Sequence, residues 1–242
     1  MKLLVVNPNT SAAMTAQIGA AARAVAAPGT DITAVCPAFG PESIEGHYDE
    51  TIAAAGVAMV VREQQAAHDA VLLACFGDPG LDAAREATCA PVLGIAEAAF
   101  HVASLLATGF SVVTTMTRTC VIAERLVQRY GFERSCRGIH GTDIAVLELD
   151  DAKSDAFARI EVAARTALER DRSGAIVLGC AGMATLTRNL QERLQVPVID
   201  GVAAAVKLAE ALVALGLTTS KWGDYAQPLP KRYTGWAKPL GW

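Results

Sequence analysis

The stretch Ala70-Val-Leu-Leu-Ala-Cys-Phe-Gly-Asp-Pro-Gly80 has a counterpart, Ala175-Ile-Val-Leu-Gly-Cys-Ala-Gly-Met183, in which Cys180 follows Cys75 by 105 residues. Each is a short apolar run that ends in a cysteine, with a glycine two residues further on. Apolar runs without polar alternation read as parallel strands buried on both faces, and the glycine lets the backbone turn at the strand end. Two more pairs keep nearly the same offset. Pro91-Val-Leu-Gly-Ile-Ala-Glu matches Pro197-Val-Ile-Asp-Gly-Val-Ala at 106 residues, and Leu3-Leu-Val-Val-Asn-Pro-Asn-Thr more loosely matches Phe110-Ser-Val-Val-Thr-Thr-Met-Thr at 107. The repeat predicts an α/β fold of two pseudo-symmetric lobes. Each is a parallel sheet flanked by helices, and each presents one thiol at a strand end.

The flanking segments extend this scheme. Besides the strand ending at Cys75, the pattern predicts strands at 3–6, 31–35, 92–95, 111–114, 175–178 and 198–199. Helices are predicted from about 10 to 26, with Thr10 or Ser11 as N-cap, and at 48–68, 81–88, 96–107, 119–130, 154–170, 185–195 and 201–215. Such alternation places ligands outside the carboxyl ends of the strands, here between the lobes. Residues 1–97 with 208–242 are expected to form the first lobe and 98–207 the second. No low-complexity linker separates them, which predicts tight coupling. The three tryptophans, Trp222, Trp236 and Trp242, lie in a proline-containing tail with Tyr225 and Tyr233. Aromatic rings are costly to leave in water, so the tail is expected to pack on the surface or to serve a subunit contact.

Composition excludes several classes. The 242 residues are 52% hydrophobic and 19% charged, with a net charge of −4. There is no basic stripe with interleaved aromatics, which argues against nucleic acid as a partner. No run approaches the roughly 20 apolar residues of a membrane span, and the N-terminus lacks the apolar core of a signal peptide. Six cysteines without an export signal read as reduced thiols in a cytoplasmic protein. No Cys-x-x-Cys pair, G-x-G-x-x-G or Walker sequence occurs, and no lysine sits in a Schiff-base-like motif. His47 beside Asp49 and Glu50 reads as a solvated loop rather than a metal site. No cofactor and no metal are expected.

The chemistry is expected at Cys75 and Cys180. Cys36, Cys89, Cys120 and Cys136 read as small buried hydrophobes. A strand end that feeds a helix N-terminus can lower a thiol pKa from about 8.5 toward neutrality. One cysteine can then be a thiolate while its partner stays a thiol, so that one removes a proton from one face of a carbon and the other returns it to the opposite face.

Asn7-Pro-Asn-Thr-Ser, Ile44-Glu-Gly-His-Tyr-Asp-Glu, Ala74-Cys-Phe-Gly-Asp-Pro-Gly-Leu-Asp and Leu178-Gly-Cys-Ala-Gly-Met resemble motifs of the hydantoin and allantoin racemases in the aspartate/glutamate racemase superfamily. The four occur in order at family spacing, and the resemblance runs from Met1 to about Tyr233. It implies a cofactor-independent two-base mechanism in which Cys75 and Cys180 flank C5 of a five-membered ureide ring. It also implies a site between two lobes and a homo-oligomer.

The residues after each cysteine bear on substrate class. Amino-acid racemases of the superfamily resemble Cys-Asn-Thr and Cys-Thr at these places, whereas Phe76 and Ala181 here suit a largely neutral ring. Backbone N–H groups near Gly77 and Gly182 can hold ring carbonyl oxygens, where charge develops once the C5 proton leaves. Asn9, Thr10, Thr115 and Thr117 fall at matching strand ends and are candidates for ring contacts or for helix caps. Ile44 and Phe76 are expected to shape the space for the C5 substituent. The alternatives are a racemase of an acyclic amino acid, a decarboxylase of the same scaffold, which the presence of both cysteines disfavours, and a non-catalytic ureide-binding protein.

Overall fold

The computed structural model describes residues 1–150 and 154–241. Two four-stranded parallel sheets form the frame. The first contains β1 (Lys2–Val6), β2 (Asp31–Val35), β3 (Ala70–Leu73) and β4 (Val92–Gly94) in the order β2-β1-β3-β4. The second contains β5 (Phe110–Thr114), β6 (Cys136–Gly141), β7 (Ala175–Leu178) and β8 (Val198–Asp200) in the corresponding order β6-β5-β7-β8. The registers correspond too, with Val6 opposite Leu73 in one sheet and Val113 opposite Leu178 in the other. Both faces of β3 and β7, and of β1 from Leu3 on, are apolar, as crossover parallel sheets require. Leu3 and Val5 join one core cluster, while Leu4 and Val6 join another.

Among the described residues eight α-helices surround the sheets: α1 (Ala12–Val25), α2 (His47–Gln64), α3 (Leu81–Ala87), α4 (Ile95–Leu106), α5 (Cys120–Arg129), α6 (Ala156–Asp171), α7 (Thr187–Leu194) and α8 (Gly201–Ala214). Ser11 caps α1, its hydroxyl accepting from the Met14 N–H at 3.2 Å. The last helix of each half crosses to the other. α4 packs on β7, β8 and α5, while α8 packs on β3, β4 and α1. The two helices touch at their first turns, where a Cβ on Gly201 would lie 2.6 Å from the Ile95 carbonyl oxygen. The largest core cluster accordingly joins Leu3, Val5 and Phe100 to Phe110, Val177 and Ala181.

β6 is the strand that the sequence pattern does not predict. Cys136-Arg-Gly-Ile-His-Gly141 has no apolar run, because it is a half-exposed edge strand. Its glycines answer to packing. A Cβ on Gly138 would run into the Asp171 carboxylate, and one on Gly141 into the Thr117 backbone.

The tail packs in part. The Lys221 ammonium donates to the carbonyls of Arg85 (2.6 Å), Glu86 (2.9 Å) and Tyr225 (3.1 Å), placing a cation at the end of α3. The Tyr225 hydroxyl reaches Asp82 at 3.0 Å. Trp222, contrary to expectation, is 93% exposed. The ring of Trp236 and all of Trp242 lie outside the described residues. Cys89 is exposed rather than buried. No helix among the described residues is long and apolar enough to cross a membrane.

Candidate active site

β3 and β7 occupy matching places in their sheets, and the chain leaves both in the same way. The Ala74 N–H donates to the Val6 carbonyl and the Gly179 N–H to the Val113 carbonyl, both at 2.8 Å. One residue later each cysteine opens a turn. Its carbonyl accepts from Asp78 N–H in one lobe (3.0 Å) and Met183 N–H in the other (3.1 Å). Cys75 and Cys180 thereby line a single cavity of about 60 Å³ between the sheets.

Of the residues singled out from sequence, Asn9, Ile44, Cys75, Phe76, Gly77, Thr115, Cys180 and Ala181 line this cavity. Thr10, Thr117 and Gly182 do not. Thr10 binds the Pro41 carbonyl through its N–H (2.9 Å) and hydroxyl (3.2 Å), which ties down the loop before α2. The Thr117 N–H donates to Asp143 at 2.9 Å, and Gly182 packs against Leu149. Phe76 both lines the cavity and anchors in the core, edge-on to Phe100 with ring centroids 5.6 Å apart.

Sequence reasoning missed Asn7, Thr114, Glu50, Ile122 and Val146 as cavity residues. Asn7 and Thr114 stand at the ends of β1 and β5, so the strand-end rule that nominated their neighbours could have found them. Ile122 on α5 and Val146 arrive from elements with no local signature. The Asn7 carboxamide donates to Asn9 Oδ1 at 2.7 Å, and the Ser11 N–H donates to the same oxygen at 2.9 Å. This fixes the Asn9 amide with its Nδ2 3.2 Å from the Met14 sulfur, a weak acceptor. Next to the lining residue Ile44, Glu45 accepts from the N–H of Val146, another lining residue, at 3.0 Å and so links the two halves of the chain beside the cavity.

The electrostatics depart from expectation at Cys75. Burial pushes its thiol up to about 12, and the negative charges of Cys180, Asp78 and Glu50 add to the rise. The Gly77 N–H, directed at the sulfur, opposes this without overcoming it. The expected fall toward neutrality fails here because a turn rather than a helix follows Cys75, and α3 begins only at Leu81. Burial also raises the Glu50 carboxyl despite its contact with His47. The cavity walls are otherwise apolar or neutral. Among its described lining residues there is no lysine or arginine. No group of three or more His, Cys, Asp or Glu side chains disposed to hold a metal ion occurs among the described residues.

A model of the Asp/Glu/Hydantoin racemase family matches residues 3–209. The chain is 44% identical over 242 residues to a hydantoin racemase of Pseudomonas sp. (strain NS671), covering 100% of this chain and 97% of that protein. The solved structure of allantoin racemase from Klebsiella pneumoniae superposes with a TM-score of 0.97 at 55% identity, covering 100% of this chain and 99% of that one. Allantoin racemase from Pseudomonas fluorescens gives a TM-score of 0.91 at 41% identity, with 97% and 100% covered. With matched thiols at one cavity and similarity over its whole length, the chain belongs to the Asp/Glu/hydantoin racemase family and is an isomerase.

Proposed function

We propose that this enzyme racemises 5-substituted hydantoins, allantoin among them, by passing the C5 proton between Cys75 and Cys180. The observation that carries the reading is the pair of cysteines at pseudo-symmetric strand ends lining one small, largely apolar cavity. The names of its relatives, hydantoin racemase and allantoin racemase, support the substrate class.

In this scheme the sulfur that is ionised takes the C5 proton from one face of the ring. The electron pair left on C5 delocalises onto the C4 carbonyl oxygen. The opposite sulfur, a thiol, returns a proton to the other face, so the enzyme ends with one thiolate and one thiol, as it began, with their places exchanged. Repulsion between the two sulfurs disfavours a second thiolate, in keeping with the rise at Cys75 caused in part by charge on Cys180. The Asn9 amide is suited to donate to a ring carbonyl, and a donor held in place there lowers the barrier because charge grows on that oxygen.

The test is a panel of enantiopure 5-substituted hydantoins and allantoin followed by circular dichroism, with C5 proton exchange in heavy water recorded alongside. Wild-type enzyme should racemise both enantiomers. Cys75→Ser and Cys180→Ser should each lose racemisation by roughly 10²–10⁴-fold, the effect of removing a positioned acid/base group. Near wild-type turnover of both enantiomers by either serine variant would overturn the two-cysteine scheme.

A further inference from the structure

Among the described residues the buried acids are Asp78 and Asp200, and both cap a helix. They do so differently. Asp200 ends β8 and caps the helix that follows it, accepting from Val202 N–H at 3.0 Å and Ala203 N–H at 2.9 Å. The matching position in the first half, 106 residues earlier, is Gly94, with nearly the same extended backbone (φ −85°, ψ 145° against −89°, 128°). An aspartate would fit that backbone. The cap on α4 instead comes from Asp78, three residues after Cys75, which accepts from Ala96 N–H at 3.1 Å and Glu97 N–H at 3.0 Å. A Cβ on Gly94 would fill the space that the Asp78 carboxylate occupies. In the second half the residue matching Asp78 is Met183, whose N–H makes the same bond to its cysteine's carbonyl.

Capping alone does not account for this arrangement. Asp78 adopts φ +45°, a left-handed conformation unfavourable for a residue with a Cβ, to bring its carboxylate to α4 from the cysteine turn. That carboxylate also accepts from the Tyr130 hydroxyl at 2.8 Å. Tyr130 directly follows α5, the helix that supplies Ile122 and Ala123 to the cavity wall. One side chain therefore joins the Cys75 turn to the start of α4 and the end of α5. We propose that Asp78 is a positioning residue for Cys75, clamping its turn between two helices so that the sulfur keeps its place at the cavity. This deepens the reading of Cys75 as a proton-transfer group and rests on it.

The experiment moves the cap to where the second lobe has it. Asp78→Gly should lower Tm and kcat together, since cap and clamp are both lost. The double variant Asp78→Gly/Gly94→Asp restores a cap of the Asp200 kind without the clamp. Its Tm should recover, while kcat stays about 10- to 100-fold below wild type with KM nearly unchanged. Iodoacetamide should modify its Cys75 faster than in wild type, read by peptide mass, with Cys180 unaltered. Recovery of kcat and of the Cys75 rate along with Tm would reduce Asp78 to a cap and overturn the proposal. Tyr130→Phe serves even if the double variant does not fold, because it removes the clamp and leaves both cap bonds. Reduced kcat at unchanged KM with faster Cys75 modification supports the clamp, and wild-type values of both overturn it. The modification rates need no turnover. If Cys75→Ser kept racemising while the Asp78 variants still altered Cys75 modification, the proton-transfer role would fall and the clamp would stand.

Discussion

Cys75 is held in conditions that oppose its ionisation: desolvation first, then the charges of Cys180, Asp78 and Glu50. The consequence is a pH dependence with a definite sign. Below about 12 the thiolate is the minor form, and its fraction grows about tenfold for each pH unit. Modification of Cys75 by iodoacetamide in the ligand-free enzyme should therefore be slow at pH 7 and rise about tenfold per unit to pH 9 without levelling off. Peptide mass spectrometry separates this rate from that of Cys180. A rate that bends over as the pH passes about 8.5 would mean that Cys75 ionises at its ordinary value. The location of Cys75 is legible in its strand-end pattern. Its protonation is not, because the groups that desolvate and charge it include some from distant parts of the chain.

At the scale of elements, the crossing of α4 and α8 couples the halves. Gly201 opens α8 against the Ile95 carbonyl, 2.6 Å from where a Cβ would stand. Gly201→Ala sets two effects against each other. Helix propensity favours alanine by up to about 1 kcal/mol, less at a first turn. Forcing a methyl into a packed crossing costs about 1–3 kcal/mol. The clash should win, giving a net loss of about 1 kcal/mol in urea unfolding at unchanged m-value. A stabilised variant would show that the helices can part freely at this point. The residues 91–97 and 197–203 reveal by their repeat that these helices correspond. That they touch, and that one is capped by its own strand and the other by Asp78, are facts of the packed molecule.

For the molecule as a whole, the proposed substrate class predicts a selectivity set by the cavity. Its described walls offer Phe76, Ala181, Ile44, Ile122 and Val146 beside the neutral polar Asn7, Asn9, Thr114, Thr115 and Thr119, with no lysine or arginine. A free amino acid would bring a carboxylate and an ammonium into this space, with Glu50 as the ionisable partner besides the two cysteines. Burying a carboxylate with neutral hydrogen-bonding groups but no cation beside it costs several kcal/mol, whereas a neutral ureide ring loses far less hydration. Glutamate and aspartate should therefore be poorer substrates than a 5-substituted hydantoin by several orders of magnitude in kcat/KM. Comparable values for glutamate and a hydantoin would sink this account of the cavity even with both cysteines confirmed.

The sequence by itself determined the α/β class, two similar parallel sheets, the strand ends that carry Cys75 and Cys180, and the family. The first three are written in apolar runs, the glycine after each cysteine and an offset of 105 to 107 residues, and the family is legible through the resemblance of four motifs, from Asn7-Pro-Asn to Leu178-Gly-Cys. Only the tertiary structure decided which strand-end residues face the cavity, turning Asn9 and Thr115 inward and leaving Thr10 and Thr117 to secure loops. It alone recruited the edge strand β6, brought Ile122 and Val146 to the wall, and raised the Cys75 thiol. The physical reason is the same in each case. Burial, desolvation and the contacts between lobes belong to groups far apart in the chain, and they exist only once the two sheets close on one another.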